Sequence, residues 1–264
     1  MLIDKTDDLQ SSELSTEDAI LLHDVPSHQV YWVGGAEMGE SIPCNSWLII
    51  DQDEGLLLEP GGHNHYHRVV NKVDSIFLSQ GITHLICSHQ DPDICASLAS
   101  WVSHNPSMKV VTPHLWQRFL PHYMAHPLEV VPISDSGAKL PMPSGHHLHC
   151  ISAPFLHSPG NIVSFDEGSG ILFSGDIGAS LSTQREPTLL IDDWDTHCQR
   201  MLSFHQRYMG SNRAVRAFVD SVADLPITAI CPQHGAILRG DEVQKFFNWI
   251  TSIDVGADYM FGTP

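Results

Sequence analysis

The texture of the chain changes near residue 25. Residues 1–24 carry seven acids and one lysine with little apolar periodicity, and read as an acidic N-terminal extension, mobile or lightly docked. From residue 25 to 264 apolar runs recur at short intervals, as in one α/β domain. Runs at 30–33, 47–50 and 56–58 have strand character, the last two joined by a turn through Asp51-Gln52-Asp53-Glu54-Gly55. Val69, Val70, Val73, Ile76 and Phe77 fall at helical spacing and predict a helix over 64–80 closed by Gly81. A short strand at 83–88 runs straight into His89. Prolines near the starts of 92–103 and 113–122 suit helices, and 109–112, 129–132 and 149–152 suit strands. Strands at 162–165 and 171–174 make a hairpin across 166–170. Helices are expected at 194–209, 212–222 and 241–250, with a buried strand at 227–231. Hairpin strands followed by strands alternating with helices imply mixed sheets with helices packed outside.

Four segments share one design, an apolar strand followed at once by a metal-ligating residue. They lead to His89-Gln90-Asp91-Pro92-Asp93, His157, Asp176 and His234. Loops at strand ends are where a rigid scaffold presents chemistry, and Gly160, Gly175 and Gly235 let the backbone turn beside the ligands. Alternate residues of an extended loop point the same way, so His89 and Asp91 can share one ion while Asp93 reaches a second. His157 completes the first site and His234 the second, and Asp176 has an oxygen for each. Open positions remain for water, O2 or a substrate. Three carboxylates with three histidines form a hard site that favours iron or manganese over zinc.

Charge and composition narrow the partners. With 31 acidic against 13 basic residues the formal charge is −18, which repels nucleic acid and anionic membranes. No apolar run approaches the ~20 residues of a membrane span, and the N-terminus lacks a signal-peptide pattern, so a cytoplasmic setting is expected. The six cysteines form no C-x-x-C pair and read as reduced thiols, none of them a ligand or nucleophile. Most of the 18 histidines need ordinary roles. His63, His65 and His67 are expected at a loop and helix start on the site rim, where i, i+2, i+4 spacing does not converge. His146, His147 and His149 suit a strand with surface imidazoles; His84, His104, His114, His122 and His126 suit ordinary helix and loop positions. Trp32, Trp47, Trp116 and Phe119 suit core or dimer packing. There is no nucleotide loop or nucleophile elbow.

The set H-x-[E/D]-x-D, then H, D and H, resembles the metallo-β-lactamase-like domain of flavodiiron proteins. The stretches Ser88-His89-Gln90-Asp91-Pro92-Asp93, Phe155-Leu156-His157-Ser158-Pro159-Gly160-Asn161, Leu172-Phe173-Ser174-Gly175-Asp176-Ile177-Gly178-Ala179 and Tyr208-Met209-Gly210-Ser211-Asn212-Arg213-Ala214-Val215-Arg216-Ala217-Phe218 are similar to the stand-alone oxygen-binding di-iron proteins (ODP). The likeness spans residues 28 to 250. It implies an α/β fold of the metallo-β-lactamase αββα type, with two mixed β-sheets flanked by helices. It also implies two Fe ions, binding of O2 or NO, a homodimer, and in some bacteria a link to oxygen sensing. It brings His205 and Tyr208, one helical turn apart, near the metal pocket. Two readings stand for them: donors of a hydrogen bond to bound O2 or peroxide, or a surface histidine and a packing tyrosine.

Two departures separate the chain from hydrolytic relatives, which read H-x-H-x-D-H. Asp91 replaces the second histidine and Ile94 stands where the last would be, so an exposed coordination position is expected on the second ion. The competing readings are an O2-binding or O2-reducing di-iron protein, a metal-dependent hydrolase, and a signalling protein whose acidic N-terminus contacts a partner. No flavin module is read in the chain, so turnover would need an external electron donor.

Overall fold

The strands at the centre of the chain are buried at nearly every position, which means that both faces of each sheet are covered. The computed structural model describes residues 14–35, 42–124, 127–181 and 189–262. In the first sheet, β1 (Ile20–Val25), β2 (His28–Trp32), β3 (Trp47–Asp51) and β4 (Glu54–Leu58) pair antiparallel in chain order. Then β5 (Ile82–Ile86), β6 (Lys109–Pro113) and β7 (Glu129–Ile133) continue in parallel. The second sheet contains β8 (Ala138–Pro141), β9 (His147–Ser152), β10 (Ile162–Asp166), β11 (Ile171–Gly175), β12 (Ala229–Pro232) and β13 (Leu238–Arg239), in the order β13-β12-β11-β10-β9-β8. Only its β11–β12 neighbours run parallel. The helices are α1 (Tyr66–Ile76), α2 (Pro92–Cys95), α3 (Leu98–His104), α4 (Trp194–Tyr208), α5 (Asn212–Val222), α6 (Asp241–Ser252) and α7 (Gly256–Phe261).

Strand periodicity sorts the side chains between layers. Trp47 and Ile49 point inward, where Trp47 meets Phe173 of the facing sheet at 5.9 Å between ring centroids. Leu48 and Ile50 point outward, into a cluster with Val69, Val73 and Trp101 of α1 and α3. On the far side Phe165 and Leu172 meet Met201, Phe218 and Phe246 of α4, α5 and α6. The layers are helix, sheet, sheet, helix, as the resemblance implies.

Several elements differ from the sequence reading. Residues assigned to the extension supply β1, Leu22 is fully buried, Leu14 packs on the core and the Thr16 carbonyl accepts from Lys72 Nζ at 2.6 Å, so the chain is docked from Leu14 onward. The rest of that assignment, up to residue 13, lies outside the described residues, as does His126. The helix expected over 64–80 opens with a 3-10 turn at His63–His65 and ends at Ile76, where Phe77 turns extended. A Cβ on Gly55 or Gly81 would lie 2.8 or 2.6 Å from the Phe77 ring. Gly81 therefore makes room for that ring and does not cap the helix. The helix over 92–103 is split between α2 and α3, where Ser97 donates to the Pro60 and Gly61 carbonyls. The helix over 113–122 is two 3-10 turns, His114–Trp116 and Leu120–Tyr123. β8, β13 and α7 were not expected; the first is almost wholly exposed and the second has two residues. Among the described residues no helix is long and apolar enough to cross a membrane.

Candidate metal centre

Antiparallel pairing brings the N-terminal ends of β3 and β10 to the same edge as the C-terminal ends of β4, β5, β11 and β12. The two sheets are stitched there by Ile162 N–H donating to Ser88 O at 3.0 Å and Asn45 Nδ2 donating to Pro232 O at 2.8 Å. All six predicted ligands lie along this edge. His89 follows β5, and its neighbour Asp91 is extended and precedes the first turn of α2, with Pro92 at its N-terminus. Asp93 already lies in that turn, so it leaves the His89–Asp91 direction. Asp176 follows β11 after Gly175, whose φ of +56° favours glycine and where a Cβ would lie 2.9 Å from Ser88 Oγ. His234 follows β12 before Gly235, where a Cβ would collide with Ser180.

Two groups result. His89 Nε2 and His157 Nε2 lie 3.7 and 3.4 Å from Asp91 Oδ2, and the ligand atoms of His89, Asp91 and His157 fall within 4.8 Å of one another. His234 Nε2 lies 3.3 Å from Asp93 Oδ2. Asp176 faces both groups, with Oδ2 2.8 Å from His157 Nε2 and 3.6 Å from His89 Nε2, and Oδ1 3.5 Å from His234 Nε2. His89 Nε2 and Asp176 Oδ1 are buried without a hydrogen-bond partner. Buried polar atoms without partners are costly, and these two point into clusters of ligand atoms. The donor set fits divalent ions.

Neighbouring groups fix the rings. Ser88 Oγ lies 2.9 Å from His89 Nδ1, and Ser88 hydrogen-bonds the buried Glu59 carboxylate. His234 Nδ1 donates to the Pro43 carbonyl at 3.0 Å. In both cases Nε2 faces the cluster, the usual way an imidazole is aimed at a metal. Burial works against charging His157, but hydrogen bonds to Asp176 and Asp91 push it up to about 9. Burial likewise opposes ionising Asp176, yet the three histidines hold it down at about 2. Asp91 is lowered chiefly by the nearby His157 and His89 rings. Metal-free, the rings take up protons that neutralise the carboxylates, and a bound cation would displace them.

A family model described as "ODP family beta lactamase" matches residues 42–235. The chain belongs to the ODP family. The apo state of the chemotaxis sensor ODP from T. denticola superposes with a TM-score of 0.84 at 36% identity, covering 92% of this chain and 97% of that one. A structure of the peroxy diiron species of chemotaxis sensor ODP gives 0.81 at the same identity, with 92% and 98% coverage. The diflavin flavoprotein A 1 of Synechocystis sp. (strain ATCC 27184 / PCC 6803 / Kazusa) is 27% identical over 83% of this chain but only 40% of its own length. The anaerobic nitric oxide reductase flavorubredoxin of Aliivibrio salmonicida (strain LFI1238) is 22% identical over 84% of this chain and 48% of its own. This ODP-family chain thus spans under half the length of those curated relatives, and shares their metallo-β-lactamase-like core.

The two residues expected beside the pocket part company. His205 is fully buried, its Nδ1 donating to Met201 O at 2.8 Å and its Nε2 accepting from Gly178 N–H at 3.0 Å. Burial lowers it to about 4. With both nitrogens committed it has no proton to offer a ligand, and it is not a surface histidine either; it anchors the backbone two residues beyond Asp176. Tyr208 is half-exposed, stacked on Phe204 at 4.6 Å and set edge-on to His157 at 5.7 Å, so it flanks that ring.

His63 and His67 are exposed beside a buried His65, and none joins a metal group among the described residues. His147 and His149 pair with Glu167 at 3.1 and 3.3 Å. Trp32 and Trp47 are core residues; Trp116 packs on Gly160, and Phe119 is exposed beside it. The sequence reading set aside Cys44, which the structure places with Asp93 and His234. It also missed Ser88 and Glu59. Cys44 precedes its strand, and a search for ligands that follow strands passes over it.

Proposed function

We propose that the chain is a non-haem di-iron protein that binds O2 or NO. The observation that carries this reading is Asp176, one carboxylate with an oxygen toward each of two ligand groups and one of those oxygens without any hydrogen-bond partner. His89, Asp91 and His157 would hold one Fe, and Asp93 and His234 the other, with Asp176 shared. Bound iron supplies the electrons and the open coordination positions that a diatomic ligand needs. Ser88 and the Pro43 carbonyl keep the imidazoles aimed, and Phe204 and Tyr208 pack edge-on against the His157 ring. Ile94 is fully buried in the apolar layer beneath α2, so it offers nothing to the site.

The family members titled as a chemotaxis sensor ODP and its peroxy diiron species support this reading. A cytoplasmic setting, a homodimer, and an external electron donor or signalling protein belong to the same proposal. Neither nucleic acid nor membrane suits a chain of charge −18.

Metal analysis and Mössbauer spectroscopy on anaerobic and air-exposed protein test it. Two iron ions per chain and a new absorption on exposure to air are expected. Colourless protein that carries only zinc after expression in iron-replete cells would sink the reading. Metal-dependent turnover of a phosphodiester or lactone panel would move the assignment to hydrolysis.

A further inference from the structure

We infer that Cys44 is a thiolate ligand of the second metal position, making it a cysteine–aspartate–histidine site with Asp93 and His234. The inference rests on the proposed metal centre and adds a residue to it. Cys44 is 3% exposed, and its Sγ lies 3.8 Å from Asp93 Oδ2. The ligand atoms of Cys44, Asp93 and His234 all fall within 4.8 Å of one another. An ion with bonds of about 2.0–2.3 Å sets tetrahedral ligand atoms roughly 3.3–3.8 Å apart, which matches 3.8 Å here and the 3.3 Å between His234 Nε2 and Asp93 Oδ2. A separate observation points to the same place. Asp176 Oδ1, buried and without a hydrogen-bond partner, lies 3.5 Å from His234 Nε2.

The backbone is built to hold this arrangement. Pro43 accepts from His234 Nδ1, and Asn45 N–H donates to Gln233 O at 2.6 Å. The Asn45 amide donates to the carbonyls of Pro232 and Gly235, while its oxygen accepts from Trp32 Nε1 at 2.8 Å. Thiol and imidazole are therefore carried on two segments fastened to each other. The ordinary role of a buried cysteine is that of a small hydrophobe. Cys87, Cys95, Cys150 and Cys231 belong to apolar clusters and Cys198 packs against one, whereas Cys44 sits in none of them. Its sulfur supplies a side-chain ligand to the ion that Ile94 cannot serve.

On binding a divalent ion the sulfur lone pair forms the bond and the thiol proton passes to solvent, with no change of oxidation state. The two positions then differ: two nitrogens and an oxygen in one, and nitrogen, oxygen and a softer sulfur in the other, with Asp176 common to both.

Anaerobic cobalt(II) titration of the wild-type protein and Cys44→Ser tests this. Wild type should bind two cobalt ions with visible ligand-field bands and an intense near-ultraviolet sulfur-to-cobalt band. X-ray absorption should show a sulfur neighbour at about 2.3 Å. Cys44→Ser should keep the ligand-field bands of the first site, lose the sulfur band, and bind the second ion at least about tenfold more weakly. Two cobalt ions without a sulfur signal in wild type would overturn the inference and leave the metal centre standing. So would a sulfur band unchanged in Cys44→Ser. No cobalt binding at all would overturn both. The wild-type X-ray measurement decides the matter even if the variant does not fold.

Discussion

The two ends of the sandwich each set histidine among aspartates, and they do so for opposite reasons. At the end away from the candidate metal centre, His28 stands between Asp51 and Asp166, linking β2 and β3 of one sheet to β10 of the other. Its Nδ1 and Nε2 lie 2.7 and 2.8 Å from the two carboxylates. Ser144 donates to Asp51 through both its backbone N–H and its hydroxyl, and Ser169 donates to Asp166. The histidine and both aspartates are essentially inaccessible, and each of the three has its hydrogen bonds. At the candidate metal end, five of the six pairings between the proposed ligand histidines and aspartates measure 3.3–3.7 Å, and buried atoms lack partners. The exception is His157 with Asp176 at 2.8 Å. The contrast separates a structural pin from the proposed ligand cage. A pin closes every hydrogen bond, whereas a cage holds its donors apart by the width of an ion.

Breaking one end should therefore leave the other intact. Asp176→Ala should abolish stoichiometric metal, because both ligand groups lose their shared oxygen donor; metal analysis after iron reconstitution checks it. The metal-free variant should also lose some stability, because Asp176 is a buried carboxylate paired with protonated histidines, so the metal content of the folded fraction is the deciding readout. Retained iron would show that the ligand assignment is wrong. His28→Ala should do the reverse. Leaving two buried carboxylates without their cation should cost about 3–5 kcal/mol of stability, read by urea unfolding of the metal-free protein. The folded fraction should still bind the wild-type complement of metal. A variant as stable as wild type would remove the pin from the comparison.

A subtler cut separates ligand from support. Ser88→Ala keeps every proposed metal ligand but removes the hydroxyl at 2.9 Å from His89 Nδ1. It should weaken metal binding by about 10–100-fold with folding little changed, as competition with a chelator would report. Unchanged affinity would mean that packing alone orients His89.

The same contrast explains what the sequence made legible. The gathering of His89, Asp91, Asp93, His157, Asp176 and His234 at one edge was readable, because His89, Asp176 and His234 closely follow β5, β11 and β12, Asp91 and Asp93 continue the His89 loop into α2, and His157 lies in a glycine-bearing turn. The layers followed from the apolar runs at 47–50 and 171–173. Cys44 was not readable, because its place at the site depends on the antiparallel register of β3 against β4 and on Asn45 reaching the His234 loop. The His28 pin was equally hidden: its partners lie 23 and 138 residues away, with no motif joining them. His205 shows the converse. The sequence left it either a donor to a bound ligand or a surface histidine, and tertiary packing instead buries it and engages both its nitrogens.

The smallest predicted effect is a pH dependence that belongs to the pin. Burial works against the charge on His28, but hydrogen bonds to Asp166 and Asp51 raise it above its ordinary value. Asp51 is held below the usual carboxylate range: burial raises it, and Ser144 and His28 outweigh that. A histidine with a raised folded value adds stability that is fully present below its unfolded value, near 6.5, and is lost as pH rises through the folded value. Asp51 adds stability that is present above its unfolded value and is lost as pH falls through its lowered folded one. Metal-free protein should therefore lose stability as pH climbs above about 6.5, with a slope for one proton of at most about 1.4 kcal/mol per pH unit. The metal-end histidines are also raised and would add to that slope. Comparison with His28→Gln isolates the pin, because the neutral amide should flatten the wild-type curve by the share due to His28 alone. Parallel curves for the two proteins would show that His28 does not change protonation between the folded and unfolded states across that range.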